Sequence, residues 1–438
     1  MNTNGRSFRA AVLTAAVASV LALAGGAKAQ NSDTHDDTWP HATTHRSPVL
    51  AVVGDIACQP GEVEPAGEAG HEACVNPKSP YSSTSLWQSQ EATANQIEAM
   101  KPDAVALLGD LQYQVGQYQD FEQSFDLTYG AFKFLHRPAP GNHEFYNEHG
   151  ATGVAGYGYF SYYNGFQVDA SGNPITVTLA DPCPSTQTGC SYTGLSTTNS
   201  NPQPVPRPDG QAGHFEGTGG VGATIPAGGT VGVGDGWYSY NVGSWHLISL
   251  NIECETQPGG CSNTGSWLAA ELEWLRKDLE ENRSACTAAY WHQPTFSAAD
   301  SLTEEGTTAK AFWELLYEYN ADLVLNGHDH LYARYRPLDP SGNSDPRRGI
   351  REFIVGTGGE TLDTVVTTNT TTADPSANPN FNAQNIEAAT GNFWGVMALQ
   401  LDEHGYRWDF ESALELPGAP AGTFSDKGVA SCHGGRNW

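Results

Sequence analysis

The chain is short of positive charge. It carries 21 Lys and Arg against 49 Asp and Glu, a formal net charge of −28 over 438 residues. So acidic a protein repels nucleic acid and anionic membrane at long range, and neither is an expected partner. The same field repels a phosphate ester, so an anionic substrate would need cations bound locally; solubility alone would also account for the charge. Long apolar runs are scarce too. One uncharged Ala/Val/Leu run follows Arg6 and Arg9 and ends in "AKA", and no second run of this kind exists. Its shortness and small-residue end predict a secretory signal over residues 1–29 rather than a membrane anchor. Residues 30–47 are polar and His-rich and predict a flexible N-terminal segment. The mature protein is expected to be secreted or periplasmic, with no membrane attachment once the signal is removed.

No Cys-x-x-Cys pair occurs, which argues against a zinc ribbon or a redox motif. Eight cysteines are present, an even number that predicts disulfides in an exported chain. Proximity pairs Cys183 with Cys190, Cys254 with Cys261, and Cys58 with Cys74 across one Gly/Glu/Pro-rich loop. Cys286 and Cys432 remain and would tie the C-terminus to a central strand. "GTGG" at residues 356–359 lacks the Lys-Ser/Thr of a phosphate-binding loop and reads as a strand-to-loop turn.

What is present alternates. "PVLAVV" reads as a strand, "SLWQSQEATANQIEAM" as a helix stopped by Lys101-Pro102, "DAVALL" as a strand, "YQDFEQSFDLTYGAF" as a helix, and "FKFLHRPAP" as extended chain. Residues 166–235 are rich in Gly, Pro, Ser and Thr and read as an insertion within a domain spanning 48–438. "GWYSYNVGSWHLISLNI" then predicts a hairpin and "SWLAAELEWLRKDLEEN" an amphipathic helix. "CTAAYWHQ", "ADLVLNG" and "REFIVGTGG" predict strands, "AKAFWELLYEYN" a helix, and the segment around Glu403-His404-Gly405 a final hairpin. Mixed order with late hairpins predicts α/β (α+β) layers, sheets flanked by helices.

The strand ends share a chemistry. "PVLAVV" runs into Gly54-Asp55, "DAVALL" into "GDLQY" with Asp110 and Tyr113, and "FLHRPAP" into "GNHE" with Asn142 and His143. "CTAAY" runs into Trp291-His292, and "ADLVLN" into "GHDH" with His328 and His330. Each alone is weak: Gly234-Asp235 repeats the dipeptide inside the insertion, with no strand before it, and reads as a turn. Together, placed at strand ends, they predict one site. Carboxylate, imidazole and amide oxygen suit borderline or hard cations. An aspartate can bridge two of them, and ions about 3.5–4 Å apart can clamp the attacking and leaving oxygens of a phosphoryl displacement.

The string "GD… GDLQY… GNHE… WH… GHDH" resembles the calcineurin-like metallophosphoesterases, and more narrowly the purple acid phosphatase branch and its secreted bacterial relatives, over residues 48 to 411. The resemblance implies a four-layer sandwich, two mixed β-sheets flanked by helices. It implies a first ion, Fe(III), on Asp55, Asp110, Tyr113 and His330, and a second, divalent ion (Zn, Fe or Mn) on Asp110, Asn142, His292 and His328. It makes His143 the residue that protonates a leaving alkoxide or holds a phosphate oxygen. The expected reaction is hydrolysis of a small phosphate monoester by metal-activated hydroxide, with a phosphodiesterase or nucleotidase, or a non-catalytic metal- or phosphate-binding protein, as alternatives. The sequence departs from the family at two places. Ala57 stands where the wider superfamily has the histidine of Asp-x-His, and no adjacent His-His pair follows His292 as in the plant-type enzymes. Asp329 and Glu144 read as turn or supporting residues, and His136, His246 and His404 as ordinary histidines.

Overall fold

The structure, a computed structural model, describes residues 46–59, 86–117, 120–146, 156–164, 236–256, 260–262, 266–297, 299, 306–366, 383–415 and 422–434. The expected signal, nearly all of the N-terminal segment, all of the 166–235 insertion, Cys74, Cys183, Cys190 and Gly234-Asp235 lie outside them. No helix among the described residues is long and apolar enough to cross a membrane.

Two mixed sheets carry the fold. In the first, β1 (Val49–Val53), β2 (Ala104–Leu108) and β3 (His136–Ala139) run parallel. The sheet is continued antiparallel from β1 by β11 (Phe393–Asp402), β12 (Gly405–Glu415) and β13 (Ser425–Ser431), giving the order β13-β12-β11-β1-β2-β3. The second holds β4 (Tyr238–Val242), β5 (Trp245–Ser249), β6 (Cys286–Tyr290), β7 (Leu323–Asn326), β8 (Tyr332–Tyr335), β9 (Arg351–Val355) and β10 (Ile386–Thr390), in the order β10-β8-β9-β7-β6-β5-β4. Its centre, β5-β6-β7-β9, is parallel.

Strand periodicity sets the layers, because successive side chains leave opposite faces of a sheet. Leu247, Ala288, Tyr290, Leu325 and Val355 enter the core shared with the first sheet. Their neighbours Ile248, Ala289, Val324 and Ile354 enter a second core, with Leu268, Leu275 and Leu279 of the helix Trp267–Glu281 and Phe312, Trp313 and Leu316 of the helix Gly306–Glu318. Parallel strands covered on both faces must be apolar throughout, which is why these segments read as continuous hydrophobic runs. The helix Leu86–Met100 packs on β11 and β12 through a face that includes Ala94 and Ile97. The result is the expected order of layers: helix, sheet, sheet, helices. Ser266 starts the helix Trp267–Glu281, its hydroxyl accepting from Ala269 N at 3.3 Å. Each Leu that helix buries is worth about 1.5–3 kcal/mol.

Two disulfides join the expected partners, Cys254–Cys261 and Cys286–Cys432, with Cα atoms 5.1 and 5.5 Å apart. The second ties the C-terminal segment to β6. Cys58 is also disulfide-bonded, to a partner outside the described residues. Two expected elements differ. The chain expected to be extended from Phe132 becomes so only at His136. The helix expected around residues 118–132 is instead a π-helical turn (Phe121–Phe125), a single α turn (Asp126–Thr128) and a 3-10 stretch (Gly130–Leu135). Phe121, Phe125, Tyr129 and Phe132 all pack inward, and the backbone winds unevenly to seat them, Phe132 itself leaving the helical region at φ −118°.

Among the described residues, the edge strand β3 is closed by side chains rather than by another strand. Pro138 O accepts the hydroxyls of Tyr159 at 3.1 Å, Tyr238 at 2.8 Å and Ser249 at 3.2 Å, the last two from the second sheet. His136 opens this strand, buried among Phe125, Phe132 and Tyr163. Burial, with Lys133 and Arg137 nearby, pushes its pKa well below 6.5. A base with a depressed folded-state pKa stabilises the protein above its unfolded pKa and loses that contribution as pH falls below it. Chemical denaturation between pH 7.5 and 5.5 should therefore show a stability loss approaching about 1.4 kcal/mol per pH unit from this group. The loss should be smaller in His136→Phe; equal pH slopes for the two proteins would contradict the assignment.

Candidate metal centre

The parallel strands of both sheets end at the same place. Asp55 follows β1, Asp110 and Tyr113 follow β2, and Asn142 and His143 open the short helix Asn142–Phe145 after β3. From the second sheet, His292 follows β6, and His328 and His330 follow β7. All eight residues singled out from the sequence meet here. The turns are tight: Gly109 has φ +86°, and a Cβ on it would lie 2.5 Å from His292 Nδ1, while one on Gly327 would lie 2.5 Å from Asp55 Oδ2. Asp55, Asp110 and His328 hold φ of 60°, 47° and 68°, a left-handed region costing non-glycine residues roughly 1–3 kcal/mol each. Strain of this kind is retained where packing over-determines it, and here it aims three side chains inward.

The donors fall into two groups sharing Asp110. Tyr113 Oη lies 3.0 Å from Asp55 Oδ1, 3.2 Å from Asp110 Oδ2 and 2.9 Å from His330 Nε2. On the other side, Asp110 Oδ2 lies 2.9 Å from His292 Nε2, which is 3.2 Å from His328 Nδ1, which is 3.2 Å from Asn142 Oδ1. Adjacent ligands of an octahedral cation with bonds of about 2.1 Å stand roughly 3.0 Å apart, so both groups have the spacing of a coordination shell. His292 Nδ1 donates to Leu108 O at 2.8 Å and His330 Nδ1 to Thr361 O at 2.7 Å. A carbonyl only accepts, so each ring's Nε2 is the atom left for the site. His143 Nδ1 donates likewise to Gln114 O at 2.6 Å, and its Nε2 stands 3.8 Å from Asp110 Oδ2.

The backbone holds the carboxylates still. His328 N donates to both oxygens of Asp55, at 3.1 and 3.0 Å, and His143 N to Asp110 Oδ1 at 2.9 Å, leaving Oδ2 facing the imidazoles. Glu144 is a supporting residue as expected. It accepts Leu111 N and Gln112 N on one oxygen and Gly141 N on the other, joining the loops after β2 and β3. Asp329 accepts Ser297 Oγ at 2.7 Å. His246 pairs with Asp278 at 2.6 Å and His404 is exposed on the β11–β12 turn, so both stay structural. Gln293, Glu253 and Tyr146 are not among the residues that the sequence motifs single out. Gln293 Nε2 donates to Glu253 Oε1 at 2.6 Å and approaches Asn142 Oδ1 at 3.5 Å, and Asn142 Nδ2 donates to the Tyr146 hydroxyl at 2.6 Å. Gln293 and Tyr146 adjoin recognised motifs in sequence; Glu253 carries no sequence signal.

The donor set fits cations. Burial would lower His292 and His330, but the carboxylates of Asp110 and Asp55 outweigh it and push each up to about 10. Burial would likewise raise Asp110, yet His292, His143 and His328 hold it well below the usual carboxylate range. Burial, with Asp110, Asp55 and Glu360, pushes Tyr113 well above 10, so a phenolate here requires a cation to balance it. Protons thus sit where cations would.

Residues 32–332 match the family model described as calcineurin-like phosphoesterase, and the chain belongs to that family. It is 35% identical over 115 residues to purple acid phosphatase 15 of Arabidopsis thaliana, an alignment covering 24% of this chain and 20% of that protein. It is 27% identical over 158 residues to an acid phosphatase of Aspergillus ficuum, covering 28% of this chain and 25% of the relative. These alignments therefore span about a fifth to a quarter of the relatives' own length. Among solved structures, the purple acid phosphatase of yellow lupin (Lupinus luteus) aligns with 86% of this chain and 53% of its own at 17% identity and a TM-score of 0.49.

Because His292 and His330 carry protons at neutral pH in the metal-free protein, cations must displace them. Zinc added to metal-free protein at pH 7 should release protons, read as heats that vary with the buffer's ionisation enthalpy, and affinity should weaken as pH falls. Uptake without proton release would contradict this electrostatic reading.

Proposed function

We propose that this chain is an exported dinuclear-metal phosphoesterase that hydrolyses phosphate monoesters. Asp55, Asp110, Tyr113 and His330 hold a hard trivalent ion, Fe(III); Asp110, Asn142, His292 and His328 hold a divalent ion, Zn, Fe or Mn. One observation carries the reading: Asp110 Oδ2 faces Tyr113 Oη at 3.2 Å and His292 Nε2 at 2.9 Å, as a carboxylate shared between two shells does. Membership of the calcineurin-like phosphoesterase family and the acid phosphatase relatives support it. Two bound cations supply Lewis acidity toward phosphate oxygens and an activated water.

The remaining steps belong to the chain. The His143 amide fixes Asp110 Oδ1 and so keeps Oδ2 on the shared edge. The Gln114 carbonyl fixes the His143 ring with Nε2 toward the site, within reach of a leaving oxygen. Burial lowers the His143 pKa from 6.5, opposed in part by Asp110 and the Gln114 bond. As a general acid His143 must be protonated, so the rate should fall as pH rises through that lowered pKa. The donor cluster neutralises substrate charge locally in a protein whose overall field repels it.

Purified protein should hydrolyse a chromogenic monoester faster than a diester and lose activity to chelator. Diester preference would move the reading to a phosphodiesterase, and metal-loaded protein inert toward both would overturn it. His143→Ala should retain both cations, lose about 10²–10⁴-fold in rate and lose the alkaline limb of the pH profile; loss of metal instead would make His143 a ligand. If Tyr113 binds Fe(III), the protein should be violet and Tyr113→Phe should bleach it. Unchanged colour and metal content in that variant would show that the phenolate does not bind the ion.

A further inference from the structure

An asparagine ligand poses a problem that an aspartate does not. Only the oxygen of its amide can bind a cation, and the two ends have nearly the same shape. Something must fix which end faces the site. Tyr146 does not decide it, since its hydroxyl, 2.6 Å from Asn142 Nδ2, can accept from nitrogen or donate to oxygen. Gln293 can decide it only if its own amide is fixed. Its Nε2 lies 2.6 Å from Glu253 Oε1 and 3.5 Å from Asn142 Oδ1. A carboxylate only accepts, so Glu253 fixes the Gln293 NH₂ toward itself and Asn142. That NH₂ only donates, so it favours the Asn142 oxygen, beside which His328 Nδ1, a ring nitrogen able to donate or accept, also lies at 3.2 Å. Gln293 is almost fully buried and Glu253 is 6% exposed, so little water competes for these bonds.

We infer that Glu253 is a positioning residue for the second cation, setting the Asn142 amide oxygen toward the site through Gln293. The inference rests on the reading of Asn142 as a ligand. Glu253 stands in the loop after β5 of the second sheet, whereas Asn142 opens the helix after β3 of the first. The relay therefore makes one sheet dictate the chemistry of a ligand on the other. Glu253→Gln keeps the shape and removes the acceptor-only end, so the two neighbouring amides can turn over together.

Zinc titrated into metal-free protein tests this without turnover. The wild type should take up two ions per chain. Glu253→Gln should bind one with unchanged affinity and the other about 10–100-fold more weakly, the usual cost of losing a partner behind a ligand. Removing a negative charge near a cation would also weaken binding, and a second background separates the two causes. Asn142→Asp offers oxygen at both ends, so adding Glu253→Gln to it should cost nothing further if orientation is what matters. An equal loss in both backgrounds, or no loss in either, overturns the relay. A wild type that binds fewer than two ions overturns the dinuclear reading itself.

Discussion

The buried carboxylate of Asp110 is the constraint on which the rest of the site depends. It sits at the end of a strand of the first sheet, and the imidazole nearest its Oδ2, His292 at 2.9 Å, comes from the second. A buried charge is tolerated only where partners meet it, so both sheets must deliver their strand ends to one place. The contacts around it repeat this cross-sheet logic. His292 Nδ1 donates to Leu108 O, His328 N to Asp55, and Gly358 N to Gly54 O at 2.9 Å. The site is thus part of what holds the layers in register.

That dependence explains why the candidate residues were legible in the sequence. Each follows a continuous apolar run, and such runs are what doubly covered parallel strands require. The runs gave β1, β2, β6 and β7, and their ends gave Asp55, Asp110, His292 and the His328–His330 pair. Elements at the margins had no such signal. β13 alternates exposed and half-buried residues at a sheet edge, and β8 and β10 are short strands outside the parallel centre. The broken helical stretch of 121–135 was misread because its aromatic spacing fits a helix while its packing does not. Glu253 had no sequence signal, and Gln293 had only its place beside His292, because hydrogen-bond direction is something no spacing encodes.

The loop that carries Ala57 has a part in placing Tyr113. Ala57 takes part in backbone pairing, with Tyr113 N donating to Ala57 O at 2.7 Å. That bond folds the loop after β2 back against the loop after β1, which brings the phenol to Asp55 and His330. A backbone contact at Ala57 thus helps to place the Tyr113 side chain.

The central claim is that Asp110 joins two cations. The most direct measurement is anomalous diffraction from crystals of the protein purified with its native metals, with data above and below the iron edge. The account predicts two anomalous peaks about 3.5–4 Å apart, one on each side of the Asp110 carboxylate, with iron at the peak beside Tyr113. A single peak, or a pair that leaves Asp110 uncoordinated, would contradict it.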